Sequence, residues 1–208
     1  MTFKPVVIVE GVGAPLDQPN IDTGLILPAR FLRRPRSEGY QEFLFHDLRF
    51  DKDGVEKPNF VLNQAAYRKA SVLVAGGTFG SGSSREQAPW SLLDYGFRCI
   101  IAEGFGETFY ANSCNIGILP VPLSSAACER LRGQLHASPG ATLRVDLPQQ
   151  EIKGPDGVVY SFAIDSFRKR RLLEGLDDIG LTLQNETAIA TFETDYRRRF
   201  PWLFTRPE

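Results

Sequence analysis

The chain has 208 residues, 42% of them hydrophobic and 24% charged, with a formal net charge of -1 at pH 7. Such a length sustains one domain with its own core, here expected to span residues 1–208, and the balance lacks the Lys and Arg excess of a nucleic-acid footprint. The longest apolar runs, at residues 72–75 and 99–102, are far too short to span a bilayer. The amino terminus lacks the charged head and apolar stretch of a signal peptide, so the expected location is cytoplasmic, with no membrane partner.

In chain order, residues 3–10 read as a first strand and residues 11–20, with their Gly and Pro content, as a connection. A short apolar run at 25–27 is closed by Pro28. Residues 30–60 carry Arg, Gly, Asp and aromatics without clear periodicity and read as loop with short helical pieces; a stretch of that length in a compact domain is more often functional or mobile than idle. From residue 71 the pattern sharpens. An apolar β-rich run at 71–75 leads into GGTFGSGSS, and residues 85–95 predict a helix with Pro89 in its first turns and Gly96 as its stop. Residues 98–102 read as a buried strand, 107–112 as a short helix, 118–121 as a strand, and 124–135 as an amphipathic helix capped by Ser124 or Ser125. Strands alternating with helices predict parallel pairing. Residues 142–147 and 158–164 flank the turn Gly154, Pro155, Asp156, Gly157 and predict an antiparallel pair. Helices are expected at 166–175 and 184–196. The Arg-rich stretches 168–171 and 197–199 read as solvated faces near helix ends.

Cys99, Cys114 and Cys128 form no CxxC pair and no zinc or iron–sulfur ligand pattern. They read as buried reduced thiols, and no cofactor is expected on this chain. His46 and His136 stand in unrelated contexts and read as structural.

The chemistry-bearing segment is GSGSSREQAPW at residues 80–90. A buried strand feeds a glycine-rich turn that opens a helix, an arrangement suited to anions: glycines permit close backbone approach, and the helix start presents free N–H groups. Ser83, Ser84 and Arg85 add two hydroxyls and a planar clamp for a carboxylate. Nucleotide motifs fail. Gly82 is followed by Ser83 rather than the Lys of a P-loop, the third glycine of a dinucleotide fingerprint would fall at Arg85, and GxSxG is absent. The residues alone point to a small carboxylate or phosphate, with a merely connecting turn as the alternative.

Gly82-Ser-Ser-Arg-Glu followed by Ala88 resembles the signature of the swivelling domain of aconitase-like hydro-lyases, and residues 82–90 are similar to the form used by small subunits of isopropylmalate dehydratases. Other segments follow that family's order: Asn20 to Thr23, Leu25 to Pro28 with Phe31 and Leu32, Phe43 to Phe45, Asp47, Arg49 and Phe50, Asp94 to Phe97, Phe109 to Ser113, Asp165 to Arg168, and Gly175 to Leu183. The resemblance implies an α/β fold: a swivelling β/β/α domain of the aconitase type, a mixed sheet with parallel core strands flanked by helices, plus an antiparallel hairpin. It also implies a large subunit as partner, carrying a [4Fe-4S] cluster, and a small dicarboxylate substrate. By the same resemblance Ser83 is the catalytic base, Ser84 a neighbouring donor and Arg85 the carboxylate clamp. Three positions depart from the pattern. Gly24 stands where related chains carry Asp, Gln87 where they carry His, and Ser37 where they carry a loop arginine, which leaves Arg36, or Arg34 beside it, to bind substrate. The implied activity is isopropylmalate dehydration–hydration. A related hydroxy-diacid such as a methylated malate is the alternative within the class, and a non-catalytic anion-binding or assembly module and an independent phosphate-binding enzyme are those outside it.

Overall fold

The computed structural model describes residues 3–82 and 84–204. Its frame is one mixed sheet of eight strands. The longest strand, β1 (Ile8–Asp22), pairs antiparallel with β6 (Thr142–Asp146) through Ile8 to Val12, then runs parallel to β2 (Val72–Ser81) from Gly13 onward. The glycine- and proline-bearing stretch 11–20 is therefore strand, not connection. The β6 ladder ends at Val12, so prolines further along β1 have an unpaired side to face, and Pro19 falls at a register shift; both are places where a strand tolerates proline.

Beyond β2 lie β3 (Cys99–Ala102) and β5 (Leu119–Pro122), both parallel, with the two-residue β4 (Gly104–Phe105) continuing beside the end of β2. On the other flank β6 is followed by β7 (Glu151–Lys153) and β8 (Val159–Ser161), all antiparallel. The turn at 154–157 joins β7 to β8 rather than linking the two longer runs. The expected hairpin is thus a three-stranded meander, because three-residue strands are too short to show alternation in sequence.

Both faces of the parallel strands are buried, and successive residues divide between two cores. Leu73, Ala75, Ile100 and Ala102 face one side with Phe79, Tyr67, Phe97, Phe45 and Leu44. Val72, Val74, Cys99 and Ile101 face the other with Leu119, Val121, Leu131, Leu135, Leu143 and Leu172. The first core is covered by residues 23–63, which form α1 (Thr23–Ile26), single turns at 29–31, 36–38, 40–42 and 61–63, and α2 (His46–Arg49), together with α3 (Gln87–Tyr95). Buried Arg49 fastens that stretch: it donates to the carbonyls of Gln41 and Leu44 and to Asn63 Oδ1, while Asn63 Nδ2 donates back to the Arg49 and Lys57 carbonyls. A loop without periodicity is held by these polar contacts together with irregularly spaced buried residues such as Tyr40, Leu44, Phe45 and Leu62.

The second core is covered by α4 (Glu107–Ile116), α5 (Ser125–Ala137), which Ser124 caps, and α6 (Ser166–Glu174). Two further helices follow, α7 (Asp178–Leu183) and α8 (Glu186–Arg199). The arginines of α6 are mostly paired, and Arg171 is buried, donating to the Leu176 carbonyl and pairing with Asp178 at 2.9 Å.

The end of β2 is locked to α4 by two glycines. Gly80 has φ +72 and its Cα faces the Phe109 ring, while Gly106 abuts the Gly80 carbonyl and donates to the Phe79 carbonyl at 3.0 Å. A methyl group at either position would overlap these atoms. Gly106→Ala is expected to cost about 3 kcal/mol as overpacking against rigid backbone, read by urea unfolding. Gly133→Ala, on the open face of α5 with nothing nearby, should instead gain about 0.8 kcal/mol in the same assay.

Candidate active site

The carboxyl ends of β1 and β2 lie side by side, with Asp22 opposite Ser81, which is where open parallel sheets bind ligands. Asn20 shapes the approach. It adopts φ +52, and its Oδ1 accepts from Thr78 N at 3.2 Å, at a register shift opposite Gly77. Asp22 closes β1 and caps α1, its Oδ1 accepting from Leu25 N at 2.8 Å. Across from it, Gly82 has φ +95 and rests against Asp22 and Thr23, so the chain leaves β2 in a left-handed step that glycine takes without strain. Helix α3 then begins at Gln87, with no side-chain hydrogen bond at its amino-terminal cap and Pro89 in its first turn, where the missing N–H costs nothing.

Ser83 lies outside the described residues. Ser84 is exposed and Arg85 partly so. Arg85 Nη1 is itself buried and without a hydrogen-bond partner among the described residues. A buried guanidinium nitrogen left unpaired is costly, and its setting shows where a partner could stand: a Cβ placed on Gly24 would lie 3.9 Å from Arg85 Nη1 and 3.2 Å from Asp22 Oδ1. Position 24 is thus the corner from which a carboxylate could reach Arg85, and glycine leaves it open. Gln87 is the first residue of α3, partly exposed beside the same turn.

Arg36 is brought to the neighbourhood of α3 and held there. Its Nε and Nη2 donate to Asp94 Oδ2 and Oδ1 at 3.0 and 2.6 Å, and its guanidinium lies over the Trp90 ring at 5.3 Å. Arg34 reaches Glu38 at 3.3 Å on the exposed side. Asp94 as the holder of Arg36 was not legible, since 58 residues separate them; only the family order of the Asp94 segment hinted at it. His46 contacts Arg30 at 3.2 Å and His136 contacts Asp17 at 2.8 Å, both in exposed polar clusters.

The thiols do not fit an iron–sulfur cluster. All three are free, buried and embedded in the second core. Burial pushes Cys114 up to about 12 and Cys128 up to about 11, and raises Cys99 as well, the opposite of what a thiolate ligand needs. Among the described residues no group of three or more His, Cys, Asp or Glu could hold a metal ion.

Fold and turn together define the class. A family model described as the Aconitase C-terminal domain matches residues 3–126. Two further models follow along the chain: LeuD_N matches residues 129–166, and the C-terminal domain of the 3-isopropylmalate dehydratase small subunit matches 178–206. The 3-isopropylmalate dehydratase small subunit of Xanthobacter autotrophicus is 50% identical over 196 residues, covering 94% of this chain and 98% of the relative. That of Azorhizobium caulinodans is 49% identical over 195 residues, covering 94% and 97%. A crystal structure of 3-isopropylmalate dehydratase from Methanocaldococcus jannaschii shares the fold at TM-score 0.64 and 23% identity, covering 89% of this chain and 99% of that one. The chain belongs to the family of 3-isopropylmalate dehydratase small subunits.

The open corner yields a stability test independent of turnover. Gly24→Asp should place a carboxylate beside Arg85 Nη1, at a helix start where acidic residues are favoured. A double-mutant cycle with Arg85→Ala, read by thermal melting, is expected to give a favourable coupling of roughly 1 kcal/mol. Zero coupling would mean that the guanidinium does not face that corner.

Proposed function

We propose that this chain, joined to its large subunit, interconverts 2- and 3-isopropylmalate by stereospecific dehydration and rehydration, a step of leucine biosynthesis. The observation that carries the reading is Arg85 Nη1, buried and unpartnered among the described residues at the carboxyl ends of β1 and β2, in a chain about half identical to such subunits over nearly its whole length. A cation waiting in that position is complementary to a carboxylate.

In this reading Ser83 takes the proton from the carbon next to a substrate carboxylate. The bonding electrons form the carbon–carbon double bond as the hydroxyl leaves the neighbouring carbon, and water returns to the opposite carbon. A serine hydroxyl serves as base only where its alkoxide is stabilised. Arg85 and the amides at the start of α3 supply positive potential for that, and Ser84 donates a hydrogen bond. The [4Fe-4S] cluster belongs to the large subunit and supplies Lewis acidity toward the leaving hydroxyl. Arg36 reaches the diacid only by exchanging Asp94 for a substrate carboxylate. Until then it props Trp90 against the loop.

The test is anaerobic reconstitution with the cognate large subunit and absorbance of the unsaturated diacid. Ser83→Ala is expected to lower kcat by about 10²–10⁴-fold, and the isolated chain to be inert. Asp94→Asn should lower KM if Arg36 binds substrate, and leave it unchanged if Arg36 only supports Trp90. Full turnover by Ser83→Ala would remove the serine from the mechanism. A preference for a methylated malate over isopropylmalate would move the substrate but not the site.

A further inference from the structure

We propose that the outward face of α8, together with the turn that follows it, is a docking surface for the large subunit; the choice of occupant rests on the two-subunit reading above. No residue of α8 is buried. Ile189, Phe192, Tyr196 and Phe200 recur at helical spacing and form one apolar stripe, with Thr187, Thr191, Thr194, Asp195 and Arg198 on the opposite side. The chain turns back at 201–203, and the aromatics pack on one another rather than on the body: Phe192 on Tyr196 at 5.6 Å, Tyr196 on Phe200 at 4.9 Å and on Phe204 at 6.1 Å. Phe192, Leu203 and Phe204 are 66%, 56% and 52% exposed.

A helix of 14 residues is marginal in water on its own, and its stability ordinarily comes from covering its apolar face. Among the described residues only the turn that follows packs on this one, and that turn is itself exposed. From ordinary aromatic side-chain areas, the stripe and turn leave on the order of 500 Å² of apolar surface in water. That is a large share of the roughly 800 Å² each partner contributes to a standard interface, and matches the roughly 300–600 Å² of a monomer's largest patch, which is often functional.

The family matches indicate the occupant. Residues 178–206 match a domain described for 3-isopropylmalate dehydratase small subunits, whereas the general aconitase match ends at residue 126. The segment is therefore characteristic of chains that meet their catalytic partner as a separate polypeptide. Such chains must hold by surface what a covalent linker would otherwise hold. A large apolar patch on an element of that restricted distribution suits this need.

The test uses the full chain and the purified cognate large subunit, with affinity measured by calorimetry and assembly by sedimentation velocity. Phe192→Ser, Tyr196→Ser and Phe204→Ser combined are expected to weaken binding by about 30-fold or more while leaving the melting temperature of the isolated chain in place. Val159→Ser, an exposed apolar residue on β8, should bind as wild type. If the combined variant melts early, Phe192→Ser alone gives the same comparison. Unchanged affinity in a folded variant overturns the proposal, as does a wild-type chain that binds no large subunit. So does a wild-type homodimer that the variant dissolves while its affinity for the large subunit persists, because the stripe would then belong to a second copy. Binding is read without turnover: a complex that forms through α8 and fails to dehydrate isopropylmalate sinks the functional reading and leaves the surface standing.

Discussion

Parallel pairing of the second half of β1 with β2 is the constraint on which the site depends. It sets Asp22 against Ser81, and the elements that frame the candidate site issue from those two ends: α1 from one, Gly82 and then α3 from the other. The pairing is irregular where it matters. Register shifts between Leu16 and Asp22, the left-handed Asn20 and the positive φ of Gly77, Gly80 and Gly82 bend the strands until the turn stands over the sheet edge. The Gly80–Gly106 contact then fixes that bend from below. A regular ladder would end flush and offer no concavity.

That Arg85 Nη1 is buried with no partner among the described residues follows from the same geometry. Asp22, the carboxylate beside that corner, is turned toward Leu25 N to cap α1, and Gly24 brings no side chain. By contrast Arg36, on the loop beyond α1, is held by Asp94 through two hydrogen bonds. The two arginines differ in that Arg36 is tied to α3, whereas Arg85 Nη1 meets no partner among the described residues. Net charge is nearly balanced, so in the proposed reading the attraction for a carboxylate is local to Arg85 rather than the work of a broad positive field.

What the sequence revealed, and what it hid, divides along physical lines. The parallel core was legible because each strand is a short, continuous apolar run bounded by glycine, proline or a helix pattern, as at 72–75 and 99–102, and α3, α4 and α5 follow their capping and stop signals. The strand nature of 13–20 was hidden by Pro15 and Pro19, which suppress β propensity although one side of that strand has no neighbour to miss them. β7 and α7 were hidden by brevity. In the site, the turn GSGSSRE announced itself because glycine, serine and arginine at a strand-to-helix junction have few other uses. The ion pair of Arg36 with Asp94, and the support of the 30–60 loop by Arg49 and Asn63, are tertiary facts with no local signature. Loop polarity gave no sign of which arginine was structural.

The placement of the three cysteines carries a practical corollary. Thiols packed among Val, Leu and Ile, with their ionisation suppressed by burial, are poor nucleophiles toward peroxide and disulfides. This half of the enzyme is therefore built to withstand oxygen, and stocks prepared in air should remain competent for assembly.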